Sequence, residues 1–495
     1  MPADLLSSPR CRAEQLGLPM PDDEHAVSAC LPLWEHNIGY EEGDPEIHGM
    51  LQAAYPRFAF HPKIRELCAA AVPDGAGSRW LPFVNRNAAT RAVEYVRHAG
   101  NVSAELHPLP DHEACGVIVP DASFSLLKQY WQHAGENLSS RSADLILRDQ
   151  RAGCTETAAR QSVRQRVAAL QQVESSSVFL FPSGMAAIAG AWRAVQSFRN
   201  GATCQFGFPY VDTLKIQQRF PGASHSFFPL GNDGDLDQLT EQCKSTPPIA
   251  VFCEVPTNPL LVTPHLGQLR DLADKNDFVL IVDDTLGACG NLHALPYADI
   301  VVTSLTKYFS GYGNVLAGSL VVNDNSKHAT KLKALVTATH EEGLSDADAE
   351  VLNTNSADLD RRMSRINANA QALATYLRNH SEVESVYYPS TDDAGYELLR
   401  KDSGGFGGLL SIVLKNPAET TAATFDRLEV CKGPNLGTNF TLCCPYTILA
   451  HYEELDFVET CGVSRWLLRI SVGTEEQGDL IGRFERALPP GENNS

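Results

Sequence analysis

A lysine, Lys307, follows the apolar residues 300–302 in the stretch ADIVVTSLTKYFSGYGNVLAGSLVVN. Ser304 and Thr306 stand just before it and a glycine turn at 311–313 just after. Lysine is almost never fully buried unless it is paired or reactive. Two readings stand: a surface lysine at a strand end, or a lysine held in a pocket to form an imine with a carbonyl. Other residues of chemical interest share this kind of position. Ser183-Gly184 separates the apolar VFLF from GMAAIAGAWRAVQSF, an alanine-rich helix beginning near Met185. The unpaired first amides of a helix make an anion cradle there, although many turns of this kind bind nothing. Glu254 and Asn258 lie in EVPTNP, and Asp283 and Asp284 close the strand FVLIV. A carboxylate at a strand end caps a turn, or it keeps a cofactor's ring nitrogen protonated. No third ligand at metal spacing accompanies it, so no metal is expected.

Three arginines complete the set. Tyr55 and Arg57, in YPRF, would point the same way from an extended backbone. They read either as a clamp on a phosphate or as residues of an ordinary loop. Arg141 is a second candidate anion ligand. Arg469 sits among the apolar residues of WLLRISVG, where it faces either solvent or a substrate carboxylate gripped by two parallel hydrogen bonds.

The elements that must position these residues alternate. From residue 160 onward, helical and strand patterns follow one another: RQSVRQRVAALQQVES, VFLF, the alanine-rich helix, CQFGF, DTLKIQQRF, HSFFPL, DLDQLTEQC, IAVFCEV, HLGQLRDLADKND and FVLIVDD. Such alternation predicts an α/β fold with a mostly parallel sheet covered on both faces, with ligands at the carboxyl ends of the strands. Gly184, Glu254 with Asn258, Asp283 and Lys307 all fall there. Three regions are predicted: residues 1–70 as an arm and first helix, 71–325 as a large domain, and 326–495 as a smaller C-terminal α+β domain. An insertion at about 75–158 interrupts the large domain, with GAGSRWLPF read as a loop and AATRAVEYVRHAG and FSLLKQYWQHAG as helices.

Composition narrows the function. Hydrophobic residues make up 43% and charged residues 20% of 495 positions, and the net charge is −20. That balance disfavours nucleic acid and anionic membrane as partners, and no apolar run is long enough to span a bilayer. The 13 cysteines form neither a CxxC pair nor a zinc-spaced cluster. The expectation is a reduced, cytoplasmic protein. No GxGxxG opens a βα unit, which argues against a dinucleotide-binding dehydrogenase.

Five motifs in order, SGMAAI, EVPTNP, VDDT, SLTKY and LLRISVGTE, resemble the Cys/Met-metabolism family of pyridoxal-phosphate-dependent enzymes. AVSACLPLWEHNIGYEEGD, YPRF and GTNFTLCCPYT resemble its fungal cystathionine γ-synthase branch. The resemblance covers most of the chain except about 75–158. It implies an aspartate-aminotransferase-like, fold-type-I architecture assembled as a homodimer or homotetramer with shared active sites. It implies pyridoxal 5'-phosphate as cofactor and small amino acids as substrates. Position by position, it makes Lys307 the Schiff-base lysine and Asp283 the partner of the ring nitrogen. The phosphate ligands would be Gly184 and Met185 through their amides and Ser304 and Thr306 through their hydroxyls. Tyr210 would stack on the ring, and Asn258 would lie near its oxygen. Tyr55 and Arg57 would be phosphate ligands given by the neighbouring subunit. Arg469 would bind the substrate carboxylate, with Asn435 helping to place it.

The implied reaction is γ-replacement on an O-acyl-L-homoserine with cysteine, giving cystathionine, with Lys307 moving protons and Tyr210 or Tyr55 assisting. The alternatives are γ-substitution by a carbon nucleophile such as a β-keto acid, a C–S lyase, and a catalytically idle relative. Three positions depart from the family pattern. Asp284 replaces an asparagine and adds a charge expected near the cofactor. Asn435 replaces a serine in the loop before Leu436-Gly437. Phe440 stands where a glutamate or small residue influences the amino-acid nucleophile.

Overall fold

A computed structural model describes residues 4–55, 59–72, 77–222, 224–287 and 290–490. Its strands form three sheets. The first contains β1 (Ser78–Phe83), β2 (Glu105–Pro108) and β3 (Cys115–Pro120). The second has seven strands: β4 (Val178–Phe181), β5 (Thr203–Phe206), β6 (His225–Phe228), β7 (Ala250–Glu254), β8 (Val279–Asp283), β9 (Ile300–Ser304) and β10 (Gly318–Val322). Its spatial order is β4-β10-β9-β8-β7-β5-β6. β5 to β9 run parallel to their neighbours, and β10 alone is inserted antiparallel between β4 and β9.

Side-chain alternation explains why the central strands read as continuous apolar runs. In β8, Leu280 and Val282 enter one core while Val279 and Ile281 enter the core on the opposite face. Both faces are buried, so neither set of positions is polar. The second of these cores contains the helix Gly184–Phe198, whose small residues Ala186, Ala187, Ala189 and Ala191 let it lie close to the sheet. Alternation also settles what happens at the strand ends. Glu254, Asp283 and Ser304, the last residues of β7, β8 and β9, continue on the face of that helix. Asp284 and Thr303 fall on the other.

The predicted insertion is more ordered than its sequence suggests. GAGSRWLPF, read as a loop, contains β1, and CGVIVP forms β3, which pairs antiparallel with both β1 and β2. The period-two signal in β1 is weakened by Pro82 and by its short length. With the helices Arg86–Gly100 and Phe124–Ala134, this sheet packs into the same core as the helix Gly184–Phe198.

After the large sheet, the helix Leu359–Arg378 leads to a third sheet: β11 (Val383–Tyr387), β12 (Leu409–Leu414), β13 (Cys431–Lys432), β14 (Leu442–Pro445) and β15 (Leu468–Ser471). Its order is β11-β12-β15-β14-β13. The N-terminal arm is folded onto this part of the chain. Leu31, Tyr40, Leu51 and Ala54 share a core with Cys444, Tyr446 and Leu467, and Lys432 donates from its buried ammonium to the carbonyls of Pro32 and Asp426. Among the described residues, no helix is long and apolar enough to cross a membrane, and the cysteines are free thiols.

Candidate active site

A cavity with about 1220 Å³ of empty space out to its mouth opens at the carboxyl ends of β4, β7, β8 and β9. Lys307, Asp283, Gly184, Met185, Ser304, Thr306, Tyr210, Asn258, Tyr55 and Arg469, all singled out in the sequence, line it. Arg57 lies outside the described residues.

Lys307 is 7% exposed, three residues beyond the end of β9. Its Nζ donates to the Tyr55 hydroxyl at 2.8 Å and to Asn435 Oδ1 at 2.6 Å, and lies 4.3 Å from the centre of the Tyr55 ring. Burial pushes the ammonium below the ordinary lysine range. Tyr55 opposes that fall, and the nearby Arg469 adds to it. A neutral amine, the nucleophilic form, is therefore within reach. The resemblance assigned Tyr55 to a neighbouring subunit; here it reaches the lysine of its own chain.

Asp283 closes β8 and accepts from the Thr285 amide at 2.9 Å. Burial raises its carboxyl from the ordinary value to about 6, against the hydrogen bonds from Thr285. Glu254 pairs with it in register across β7 and β8 and accepts from the Tyr210 amide at 2.5 Å. Burial, with Asp283 alongside, holds Glu254 well above the usual carboxylate range. Tyr210 thereby begins the helix Val211–Arg219 with its position tied to β7.

The cradle at the start of the helix Gly184–Phe198 is built by close approach. Ser183 caps the helix by accepting from the Ala186 amide at 3.1 Å and donates to the Gly135 carbonyl at 2.7 Å. A Cβ on Gly184 would come within 2.6 Å of Ser304 Cβ and 2.9 Å of its Oγ, so only glycine lets Ser304 lie against the helix start. The Thr306 hydroxyl bridges to Ala317, accepting from its amide at 3.0 Å and donating to its carbonyl at 3.3 Å.

Arg469 stands on β15, 6% exposed, with its guanidinium 4.9 Å from the centre of the Tyr446 ring. It donates to Asn258 Oδ1 at 3.3 Å, the Pro434 carbonyl at 3.2 Å and the Asn435 carbonyl at 3.3 Å. These acceptors are neutral amide oxygens. A carboxylate entering the cavity would therefore supply the charge that they lack.

Three sequence expectations need correction. Asp284 does not line the cavity. Alternation turns it to the opposite face, where it accepts from Thr303 at 2.5 Å and Gln171 at 2.7 Å, so its carboxylate is held outside the cavity and its charge acts there only by helping to raise Asp283. Phe440 lies 3% exposed in an apolar cluster with Met20, Cys30 and Leu442 beneath the arm, not on the cavity wall. Arg141 pairs with Asp348 at 2.6 Å and donates to the Asn314 carbonyl, outside this cavity. Conversely, Gln132, Gly135 and Asn137, on the wall, lie in the region read as an insertion, and Tyr446 and Leu449 follow β14. Tyr446 falls within the quoted motif GTNFTLCCPYT without being singled out there; for the others, proximity in the fold is the only signal.

The residues present fit a cofactor with a phosphate, a carbonyl and a ring nitrogen. The cradle offers unpaired amides behind a glycine that keeps it open, Lys307 offers a buried amine, and Asp283 is a half-buried carboxylate whose raised pKa a cationic ring nitrogen would reverse. Comparison with known proteins agrees. The family model described as Cys/Met metabolism PLP-dependent enzyme matches residues 150–489. Cystathionine gamma-synthase of Neurospora crassa is 34% identical, aligned over 97% of this chain and 99% of its own. Cystathionine gamma-synthase-like protein ankD of Aspergillus thermomutatus is 34% identical over 98% and 96%. The crystal structure of cystathionine gamma synthase from Xanthomonas oryzae pv. oryzae in complex with cystathionine superposes with a TM-score of 0.58 at 25% identity, covering 67% of this chain and 86% of that one. The fold is thus that of fold-type-I pyridoxal-phosphate enzymes, and the chain belongs to the Cys/Met-metabolism family of enzymes that depend on that cofactor.

Proposed function

We propose that the protein catalyses γ-replacement on an O-acyl-L-homoserine, with cysteine as nucleophile and cystathionine as product. The observation that carries this reading is the placement of Lys307, Asp283 and Arg469 on one cavity. That set serves an amino acid whose carboxylate is held on one side while its α-proton is moved on the other. The names of the relatives from Neurospora crassa and Xanthomonas oryzae point the same way.

When bound, pyridoxal phosphate supplies an electron sink for negative charge at the substrate's α-carbon. Gly184 and Met185 would hold its phosphate through backbone amides, with Ser304 beside them. Thr306 can join only by turning its hydroxyl away from Ala317. Asp283 would keep the ring nitrogen protonated, with Tyr210 against the ring and Asn258 near its oxygen. Arg469 binds the α-carboxylate, and the loop Pro434-Asn435, whose carbonyls hold the guanidinium, sets its angle. Lys307, whose ammonium burial disfavours, takes the α-proton in its neutral form and returns protons to the substrate's carbons. The Tyr55 hydroxyl and Asn435 Oδ1 hold its amine in place. The γ-carbon–oxygen bond breaks to release a carboxylate, the cysteine thiol loses its proton, and its sulfur bonds to the γ-carbon.

A carbon nucleophile, forming a C–C bond at the same γ-carbon, is the second reading. It is favoured by the apolar wall of Leu436, Leu449, Ala450 and Tyr446 and by the departure at Asn435. The proposal includes a dimer or tetramer in the cytoplasm, which sedimentation and fractionation test. The deciding experiment incubates the cofactor-loaded protein with O-acetyl- or O-succinyl-homoserine and either cysteine or a β-keto acid, with products weighed by mass spectrometry. Cystathionine supports the first reading; a C–C-linked amino acid replaces it with the second.

A further inference from the structure

The family model begins at residue 150, yet part of the cavity wall is built by residues before it. The helix Phe124–Ala134 ends on Gly135, which has φ +64°, a conformation natural to glycine. The close approach there is as demanding as the φ. A Cβ on Gly135 would come within 2.4 Å of Ser183 Oγ and 2.6 Å of Met185 Cβ. Gly135 thus brings its carbonyl onto the Ser183 hydroxyl at 2.7 Å and presses the chain against the first turn of the helix Gly184–Phe198.

Two residues on, Asn137 lines the same cavity as Ser183, Gly184 and Met185. Its backbone is fixed by a bridge to Phe83 at the end of β1. The side chain is 8% exposed, and its Oδ1 is buried without a hydrogen-bond partner. A buried amide left unpaired is unfavourable by about 1–3 kcal/mol unless a ligand completes it. The two ends of the amide exchange by a half-turn about its last torsion, so it can present N–H groups to an anion at the helix start.

We infer that Asn137 is a further ligand of the cofactor's phosphate, supplied by the region that precedes the residues the family model matches. This inference rests on the cofactor reading of the cavity. It assigns Asn137 a binding role, with no part in proton transfer.

The test titrates full-length protein, freed of cofactor, with pyridoxal phosphate and separately with pyridoxal, which lacks the phosphate. Fluorescence and absorbance give the affinities. Asn137→Ala is expected to weaken pyridoxal phosphate about ten- to a hundredfold, the range for a hydrogen bond to a charged group, and to change pyridoxal less than twofold. Asn137→Asp, of the same shape but negatively charged, is expected to weaken the phosphate form still more and to spare pyridoxal; it decides the matter if the alanine variant does not fold. Unchanged affinity for pyridoxal phosphate in the folded variants would overturn the inference. So would an equal loss for both ligands, which would make Asn137 a wall residue. Wild-type protein that binds neither ligand would refute the cofactor reading itself, and the inference with it.

Discussion

Replacing Asp283 with asparagine should make the cofactor-free protein more stable at neutral pH while ruining its hold on the cofactor. The carboxyl titrates near 6 in the folded chain because it is buried, against about 3.9 in an unfolded chain. Between these values the folded state binds more protons than the unfolded state, so stability falls as pH rises through the window. The full difference, about two units, corresponds to about 3 kcal/mol at pH 7.5. Solvent reaching the half-buried side chain through the cavity mouth reduces this to about 2 kcal/mol. Asparagine keeps the shape and the acceptor for Thr285 without the charge. At roughly 2.1 cal/mol/K per residue, a chain of this length gains about 1 °C in melting temperature per kcal/mol, or about 2 °C in all. Scanning calorimetry of both cofactor-free proteins at pH 7.5 and pH 4 measures it. At pH 4 the gain should shrink to about a quarter. Asp284, also raised by burial, remains in both proteins and largely cancels; Glu254 is raised in part by the Asp283 charge, whose removal adds to the gain. An Asp283→Asn protein no more stable than wild type at pH 7.5, or equally favoured at pH 4, would refute the assignment of Asp283 as a carboxylate awaiting a cation.

Three further outcomes are expected. Lys307→Ala should remove turnover by at least about 10³-fold in a single-turnover assay, since both the imine and the proton carrier go with it. Arg469→Lys should raise KM for the amino-acid substrate about ten- to a hundredfold with a smaller change in kcat, because an ammonium cannot reproduce the two-pronged grip on a carboxylate. Tyr55→Phe should move the titration of the Lys307 amine to lower pH, read from the pH dependence of its chemical labelling in cofactor-free protein. The hydroxyl favours the ammonium, and without it burial acts unopposed.

The parts of the fold legible in the sequence are those where one physical signal dominates. Central strands such as β8 are apolar at every position before the last because both faces are covered, and that run can be read directly. The residues that end these strands mark the site, since side chains on strands of a parallel sheet emerge together. What the sequence hides is which of two neighbouring positions turns inward. VDDT offers two aspartates at one strand end, and only the pairing of β8 with β9 shows that Asp283 faces the cavity while Asp284 is held by Thr303 and Gln171. The small first sheet was hidden for another reason. Pro82 interrupts the pattern of β1, and β2 has only four residues, so their pairing comes from packing on the helices Arg86–Gly100 and Phe124–Ala134. Phe440 misled because its place in the motif suggested substrate contact, whereas the arm that covers it comes from the far end of the sequence.

The site therefore has two sources with different degrees of freedom. Within residues 150–489, which the family model matches, lie the cavity residues to which the proposal gives cofactor and substrate: Lys307, Asp283, the helix start at Gly184 and Arg469. Residues before 150 carry what touches those groups from outside: Tyr55 on the amine, Gly135 on Ser183, and Asn137 on the wall. The loop bearing Asn435 is held between them. The Gly437 amide donates to Ser471 on β15, while the arm's Leu31 amide donates to the carbonyl of Lys432, close to that loop. A change in the arm can therefore shift Asn435, and with it the amine of Lys307 and the carbonyls that angle Arg469. The arm and residues 434–437 thus meet at the seam through which Asn435 reaches both Lys307 and Arg469, and the search for this enzyme's substrate preference belongs there.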